Sequence, residues 1–173
     1  GRYFVDWVLG QVSSYVNPGD HDLVVKTTLD ADLQRLAESK IEKTLSQNGK
    51  KAAIGQAAMV MMTPSGAVRV MIGGRSYRRS QFNRATQAGR QPGSAFKPFV
   101  YLAGLESGLH PDTVLKDEPI AIGNWRPANF NRKFQGPVSL ADALAQSINT
   151  VAVKVGERAG RGKVIAAARR LGL

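Results

Sequence analysis

The sequence contains no cysteine, and only two of its 173 residues are histidine. Without cysteine the chain forms no disulfide and no thiolate metal site, and a cysteine nucleophile is excluded. His21 and His110 stand far apart in the sequence. We therefore predict a loop or surface position for each histidine, following the usual burial preference of this residue type, and no metal centre.

Long apolar runs are also absent. No run approaches the roughly 18 residues that cross a bilayer, and the amphipathic segment at residues 3–9 is too short to do so. No signal peptide is visible. Because the chain begins with Gly1 and not with methionine, we expect it to be part of a longer protein whose membrane anchor or export signal lies outside this segment.

Acidic residues are few: 13 Asp and Glu stand against 24 Lys and Arg, which gives a formal net charge of +11. This charge favours anionic partners, such as nucleic acid, an acidic lipid surface or a carboxylate-bearing substrate, without choosing among them. The content of 43% hydrophobic and 21% charged residues is that of an ordinary globular protein. A chain of this length forms one good-sized core, or one domain with a flanking segment.

Residues 1–50 contain two predicted helices. Apolar residues at helical spacing predict the first over residues 1–11, and a turn follows at residues 17–20. A Val- and Thr-rich run predicts a strand at residues 22–28. The second helix begins with Thr28 or Asp30 as its N-cap and ends at Asn48-Gly49. We predict that residues 1–50 are a linker region and that the main domain is residues 51–173.

The main domain begins with a predicted hairpin, residues 57–62 and 67–72, joined by a turn that contains Pro64 and Gly66. Both strands are almost continuously apolar, so we expect helices to cover both faces of the sheet. Residues 110–137 hold four prolines and predict no regular element. Helices are predicted at residues 94–106, 140–145 (with Ser139 as cap), 151–159 and 163–171. Strands followed by helices indicate an α+β fold.

Ser94 and Lys97 are three residues apart at the start of the helix predicted at residues 94–106. Residues at this spacing lie on one face of a helix. The unpaired N–H groups and the dipole of a helix N-terminus favour negative charge there. The same field, together with burial, lowers the pKa of a lysine, so that a neutral amine can accept the serine proton. In a chain with this composition the spacing also arises by chance, so alone it is weak.

Ser147 and Asn149 form a second candidate pair, a hydroxyl for proton transfer and an amide for hydrogen bonding to a substrate. Turn chemistry between two helices is an alternative interpretation of these two residues. The same Ser-x-Asn spacing occurs at Ser46 and Asn48, where the end of a helix indicates capping and turn roles.

Several longer motifs resemble the class A penicillin-binding proteins, the bifunctional peptidoglycan synthases. Ser-x-x-Lys followed by a Ser-x-Asn motif is typical of penicillin-binding proteins and of related β-lactamases. The resemblance covers nearly the whole chain, and the stretches that carry it are Thr27-Thr28-Leu29-Asp30, Gln81-Phe82-Asn83-Arg84-Ala85, residues 90–98, Trp125-Arg126-Pro127-Ala128-Asn129-Phe130 and Ser147-Ile148-Asn149-Thr150.

The resemblance implies a role for each candidate residue. Ser94 is the nucleophile, acylated by a D-alanyl-D-alanine stem peptide or a β-lactam, and Lys97 is its base. Ser147 assists proton transfer, Asn149 and Trp125 bind the peptide, and the backbone N–H of Ser94 is half of an oxyanion hole. It implies no metal or organic cofactor, no nucleic acid, and action on peptidoglycan stem peptides and their lipid-linked precursor at the periplasmic, extracytoplasmic face of the membrane.

The family's third motif, Lys-Thr-Gly on a strand, is not found after Asn149. Within the resemblance this predicts a truncated serine β-lactamase/D,D-transpeptidase-like fold, with the hairpin packed against a helical cluster, in which residues 51–173 are the N-terminal part of the transpeptidase domain. We expect this segment to be inactive or nearly so by itself, because substrate positioning and oxyanion stabilisation both suffer. We also expect it to swap or to form homo-oligomers that cover an exposed sheet edge.

Three other interpretations stay open. A nucleic-acid-binding module would use the loop that contains Arg75, Arg78, Arg79, Arg84 and Arg90, although aromatic residues for stacking are sparse there. A solvated or ion-paired loop is the simpler interpretation of these arginines. A β-lactamase-like hydrolase would need a deacylating carboxylate, for which Glu106, Asp112, Asp117 and Glu118 are available. A structural remnant would keep the serine and the lysine without using them.

Overall fold

The computed structural model describes residues 1–16 and 22–173. The turn predicted at residues 17–20 and the loop position predicted for His21 lie outside the described residues. The chain divides into two compact units, Gly1–Arg90 and Gln91–Leu173, each with its own core. The domain boundary expected after residue 50 stays a prediction.

Where the structure describes it, the first unit contains the two α-helices that the apolar spacing predicts: α1 (Arg2–Val12) and α2 (Ala31–Thr44). Asp30 caps α2, because its carboxylate accepts a hydrogen bond from the backbone N–H of Leu33 at 2.9 Å. The helix ends in a wider turn, Leu45–Gly49, in which Ser46 donates to Glu42.

The predicted strand at residues 22–28 is wrong. These residues form no ladder with the hairpin, which they approach only at their end. There the backbone N–H of Asp30 donates to Arg69 O, and the Thr28 hydroxyl donates to Val68 O. Strand propensity mainly reflects the packing of side chains on a half-buried surface. Val24 is 91% exposed, so its preference for strands contributes little here.

The predicted hairpin is present as β1 (Met59–Met62) and β2 (Val68–Ile72), paired antiparallel. Residues 70–72 of β2 are all buried, and Val70 and Ile72 pack against Ala37 of α2. The side-chain amide of Gln34 donates to Met71 O at 3.1 Å and accepts from Met71 N at 2.9 Å, so α2 is hydrogen bonded to the strand as well as packed on it.

The expectation that both strands are covered on both faces holds for residues 70–72 of β2 and is wrong for β1. Every residue of β1 is exposed. The cause is the placement of the helices, because α1 and α2 both pack against β2. The two strands are similarly apolar in sequence, so only tertiary packing determines which of them is buried.

The loop after β2 bears out the ion-paired interpretation for Arg75. Its guanidinium donates to both carboxylate oxygens of Glu42, at 2.7 and 2.9 Å. Hydrogen bonds from Arg75 and then from Ser46 lower the pKa of Glu42 to about 2.

The second unit is built on four helices: α3 (Lys97–Glu106), α4 (Leu140–Ala145), α5 (Asn149–Ala159) and α6 (Arg161–Arg170). Ser139 caps α4 as predicted, with its hydroxyl accepting from Asp142 N at 3.1 Å. Helices α3 and α5 approach closely at Gly104, where an added Cβ would stand 2.6 Å from a methyl group of Val155. In the described residues no helix has the length and apolarity that crossing a bilayer requires.

Residues 110–137, predicted to be irregular, contribute to two short strands that sequence reasoning missed. β3 (Val114–Asp117) and β4 (Gly136–Ser139) pair antiparallel. Each strand has four residues, and Pro137 lies within β4, where it lowers strand propensity. Pairing across so long a connection leaves no local signature, because each strand is stabilised by its partner and by burial of Leu115 and Val138 in the core.

Two buried tyrosines in this fold predict opposite responses to the same substitution. Tyr3 donates its hydroxyl to Ser80 O at 2.7 Å, whereas no partner for the buried Tyr101 hydroxyl is found in the described residues. A buried polar group without a partner costs about 1–3 kcal/mol, and a typical hydrogen bond contributes about 1 kcal/mol. We expect Tyr101→Phe to raise the free energy of unfolding and Tyr3→Phe to lower it, each by about 1 kcal/mol. Urea denaturation measures both, and a loss of stability in Tyr101→Phe contradicts the prediction.

Candidate active site

The structure brings four of the five predicted site residues into direct contact in the second unit. The Lys97 ammonium nitrogen Nζ lies 3.3 Å from Ser94 Oγ, 2.8 Å from Ser147 Oγ and 2.7 Å from Asn149 Oδ1. It also donates to the Ser147 carbonyl oxygen at 2.5 Å. Lys97 is therefore the centre of the cluster, and the other three side chains meet around its nitrogen.

Ser94 and Lys97 share a face because of a change in helix type. Ser94 lies in a 3₁₀ turn (Gly93–Phe96), and Lys97 is the first residue of α3. The expectation that Ser94 occupies the first turn of the α-helix is therefore wrong, because Ser94 lies in the 3₁₀ turn that precedes α3. In a 3₁₀ turn residues three apart are eclipsed, which aligns the serine with the lysine more directly than an α-turn does. Ser94 is exposed, whereas Lys97 is only 8% exposed.

Ser147 owes its position to the way α4 ends. Its backbone is left-handed, with φ of 56°. Ser147 N donates to Leu144 O and Ile148 N donates to Ala143 O, both at 2.9 Å. This pair of bonds, with Ile148 packed in the same core cluster as Ala143, is a Schellman motif, in which glycine usually takes the left-handed position. A serine there carries backbone strain, a feature that clusters at functional sites.

Asn149 is the first residue of α5, and its side chain is fixed at both ends. The amide Nδ2 donates to Ala128 O at 2.8 Å, while Oδ1 accepts from Lys97. The turn interpretation of residues 147–149 is therefore correct for the backbone, and the same turn also presents two side chains to Lys97.

Burial lowers the pKa of Lys97 below the ordinary value for lysine, 10.5. Within the described residues, its four hydrogen-bond partners are all uncharged oxygens. A buried ammonium without a carboxylate counter-ion is disfavoured relative to the neutral amine. The cluster therefore holds a lysine disposed to lose its proton beside an exposed serine hydroxyl.

Trp125, the fifth predicted residue, lies beside this cluster. It is 55% exposed and lines a cavity of about 640 Å³ together with Phe96, Lys97, Asn149 and apolar residues of α5 and α6. The cavity is open to solvent and mostly apolar, with Lys97 and Asn149 among its polar groups, a composition typical of small-molecule sites.

The carboxylates considered for a hydrolase have other partners. Glu106 pairs with Arg170, and Glu118 pairs with Lys116 and Lys154. Asp117 is buried and accepts hydrogen bonds from Thr150, Asn129 and Gln135. Asp112 is exposed. The geometry accordingly favours none of them as a deacylating base.

Sequence reasoning considered Asp117 only as a candidate hydrolase carboxylate, and it gave Asn129 and Thr150 no role beyond the family resemblance. The three residues form a buried polar group at the N-terminus of α5. Asn129 Oδ1 accepts from the backbone N–H of Asn149 at 2.9 Å, and its Nδ2 donates to Asp117 at 2.8 Å. In the sequence Asn129 lies 12 residues from Asp117, and Thr150 lies 33 residues from it. Because the three residues are far apart in the sequence and polar residues also surround them there, no local pattern predicts that they meet.

Comparison with known proteins gives a consistent result. A model of the penicillin-binding protein transpeptidase domain matches residues 56–173. Penicillin-binding protein 1A of Rickettsia bellii is 40% identical over 126 residues, which are 69% of this chain and 16% of that protein. Penicillin-binding protein 2D of Bacillus subtilis is 36% identical over 158 residues, 87% of this chain and 22% of that protein. The chain thus spans about a fifth or less of the length of these relatives.

Solved structures agree with these sequence matches. The crystal structure of penicillin-binding protein 1A from Haemophilus influenzae aligns with a TM-score of 0.65 and 39% identity, over 68% of this chain and 19% of that one. PonA1 from Mycobacterium tuberculosis in complex with penicillin V aligns with a TM-score of 0.74 and 30% identity, over 99% of this chain and 44% of that one. The resemblance and the α+β fold class inferred from the sequence are confirmed, and the chain belongs to the penicillin-binding protein transpeptidase family.

Proposed function

We propose that this chain carries part of the active site of a D,D-transpeptidase that cross-links peptidoglycan stem peptides through an acyl-enzyme on Ser94. Family membership supports a transpeptidase function. The observation that carries the finer proposal is the position of Lys97 Nζ, 3.3 Å from Ser94 Oγ and surrounded by uncharged oxygens.

Acylation begins with neutral Lys97. Its lone pair accepts the Ser94 hydroxyl proton while Ser94 Oγ bonds to the penultimate D-alanine carbonyl carbon of the donor peptide. The remaining two N–H groups of the amine donate to Asn149 Oδ1 and to the Ser147 carbonyl, so the lone pair is directed at Ser94. The exposed position of Ser94 leaves its oxygen accessible to a peptide.

Departure of the terminal D-alanine needs a proton on its nitrogen. Ser147 Oγ, 2.8 Å from Lys97 Nζ, donates its proton to the leaving nitrogen and recovers one from Lys97. The ester on Ser94 is then attacked by an amine of a second stem peptide, which forms the cross-link and returns the proton through the same groups. This relay replaces histidine by a lysine and a second serine.

The substrate class follows from the same site. PonA1 was solved with penicillin V bound, and a β-lactam presents a strained amide in place of the D-alanyl-D-alanine bond. In our proposal Asn149 binds the peptide backbone and Trp125 lines the wall against which the donor packs. Because peptidoglycan and its lipid-linked precursor lie outside the cytoplasmic membrane, the proposed reaction takes place at that membrane's outer, periplasmic face.

We expect a penicillin to add to Ser94. Intact-mass spectrometry after incubation with benzylpenicillin should show one adduct of the antibiotic's mass, and the adduct should be lost in Ser94→Ala. A longer chain that carries a Lys-Thr-Gly motif is run in parallel, since the 173 residues are expected to react slowly without it. An adduct that persists in Ser94→Ala, or none in either chain, contradicts the proposal.

The rate of acylation should rise with pH through the pKa of Lys97, because only the neutral amine accepts the serine proton. Burial lowers that pKa below 10.5, so the midpoint of the rise should lie below the ordinary lysine value. Stopped-time labelling with a fluorescent penicillin across pH measures the profile, with Ser94→Ala correcting for hydrolysis of the reagent. A rate that is flat or falls with increasing pH argues against Lys97 as the base, as does a Lys97→Met variant that keeps the rate.

Ser147→Gly separates the hydroxyl from the backbone turn. Glycine takes the left-handed conformation without strain, so this variant should be more stable than Ser147→Ala by about 1 kcal/mol. Both variants lack the hydroxyl, and we expect both to lose acylation rate by about 100-fold or more, the usual contribution of a proton-transfer group. Urea denaturation and penicillin labelling give the two quantities. A Ser147→Gly variant that reacts like the wild type excludes the proposed relay.

A further inference from the structure

Asp117, at the end of β3, is only 2% exposed, and nothing in the proposed reaction uses it. A carboxylate in such surroundings is costly unless its oxygens are satisfied. One oxygen accepts from the Thr150 hydroxyl at 2.5 Å and from Asn129 Nδ2 at 2.8 Å, and the other accepts from Gln135 N at 3.0 Å. Burial raises the pKa of Asp117, but the hydrogen bonds from Thr150, Asn129 and Gln135 outweigh it and the pKa is lowered.

Asn129 connects this carboxylate to the start of α5. Its Oδ1 accepts from the backbone N–H groups of Asn149 at 2.9 Å and Thr150 at 3.3 Å. Its Nδ2 donates to Asp117 and to Lys133 O at 2.9 Å. All four hydrogen bonds of the amide are therefore made, two as acceptor and two as donor, and only an amide in this orientation satisfies them.

The N-terminus of α5 depends on this amide. Its N-cap residue is Ile148, which has no side-chain hydrogen bond to offer. Asn129 supplies the missing acceptor from a loop 20 residues earlier. The first residue of the helix is Asn149, so the amide that caps α5 also fixes the backbone from which Asn149 reaches Lys97.

Asp117 determines which way the Asn129 amide faces. With the carboxylate accepting from Nδ2, Oδ1 must face the two N–H groups of α5. A flipped amide would set Nδ2 against those two N–H groups and Oδ1 against the carboxylate and Lys133 O, which makes four unfavourable contacts in a buried place. Thr150 donates to the same carboxylate from the second residue of α5, so the helix start is tied to Asp117 by two routes.

We propose that Asp117 and Asn129 are positioning residues that hold the start of α5, and with it Asn149, in place beside Lys97; this rests on the proposed acyl-transfer role of Ser94. They touch neither Lys97 nor Ser94 and act through the start of α5. Loss of their hydrogen bonds lets residues 147–149 move while the core beneath stays packed. Displacement by about an ångström is enough to slow such chemistry by on the order of 100-fold.

An exchange of the two side chains tests the proposal in the full 173-residue chain. Asp117→Asn sets an NH₂ group against the donors of Gln135 or Asn129, and Asn129→Asp sets two carboxylates in contact. The double variant, Asp117→Asn with Asn129→Asp, restores a donor–acceptor pair between the two positions and places a carboxylate at the helix N-terminus, which favours it. Thr150→Val removes one donor without changing any charge.

Two readouts are needed. The first is the rate of Ser94 acylation by a fluorescent penicillin, expressed per folded molecule. The second is the pH titration of Lys97, followed by NMR in lysine-¹³C-labelled protein with the resonance assigned from Lys97→Arg. Ala167→Gly serves as the stability control, since it removes a methyl group from the buried cluster that includes Ala103 and Val164, and none of the network residues belongs to that cluster.

We expect each single variant to acylate on the order of 10- to 100-fold more slowly and to displace the Lys97 titration midpoint, with Thr150→Val displacing it less. The double variant restores the contact between positions 117 and 129 but not the hydrogen bond to Lys133 O, so it should recover part of both effects. Ala167→Gly should lose thermal stability while keeping the rate and the midpoint. Single variants with wild-type rate and midpoint overturn the proposal, and so does a double variant whose losses are the product of the two.

The titration separates this inference from the proposed function. If neither the 173-residue chain nor the longer chain with the Lys-Thr-Gly motif forms a Ser94 adduct, the function fails. The titration midpoint alone then judges the network: displacement in the single variants and return in the double variant supports it, and an unchanged midpoint refutes it. If a single variant does not fold, the double variant and Thr150→Val still carry the comparison.

Discussion

The rest of this site depends on the burial of the Lys97 amine among uncharged oxygens. The charged state of a lysine nitrogen is less favourable when the nitrogen is removed from water and surrounded only by uncharged oxygens, and burial lowers the pKa of Lys97 accordingly. The other groups of the site all lie within hydrogen-bond distance of that nitrogen. They are the Ser94 hydroxyl, the Ser147 hydroxyl and carbonyl, and the Asn149 amide oxygen. A carboxylate in place of any of them would favour the ammonium form of Lys97.

Helix termini supply the groups around Lys97. The 3₁₀ turn before α3 presents Ser94, the left-handed residue after α4 presents Ser147, and the first residue of α5 presents Asn149. Helix ends are where backbone groups lack partners and side chains take their place. The same deficit explains Asn129, which caps α5 from a separate loop because Ile148 cannot. The core of the second unit therefore positions these helix ends, and the helix ends carry the residues of the candidate site.

Sequence patterns predicted the elements whose cause is local. Asp30 and Ser139 cap the helices that follow them, and the turn at residues 63–66 joins the hairpin. Three of the predictions that were wrong concern packing between distant segments. Residues 22–28 have strand-like composition but are exposed, β1 matches β2 in apolarity yet stays exposed, and β3 and β4 are too short to be recognised without each other.

The sequence by itself determined which residues are present, that Ser94 and Lys97 share a face, and that residues 147–149 form a turn between two helices, because spacing and caps act within a few residues. It also carried the family resemblance. Only the tertiary structure decided that Lys97 meets Ser147, 50 residues away, that Trp125 lines the adjoining cavity, and that Asp117 and Asn129 lie beneath the start of α5. Those contacts require α3 to pack on α5 at Gly104 and Val155, and close packing between distant segments depends on the whole core at once.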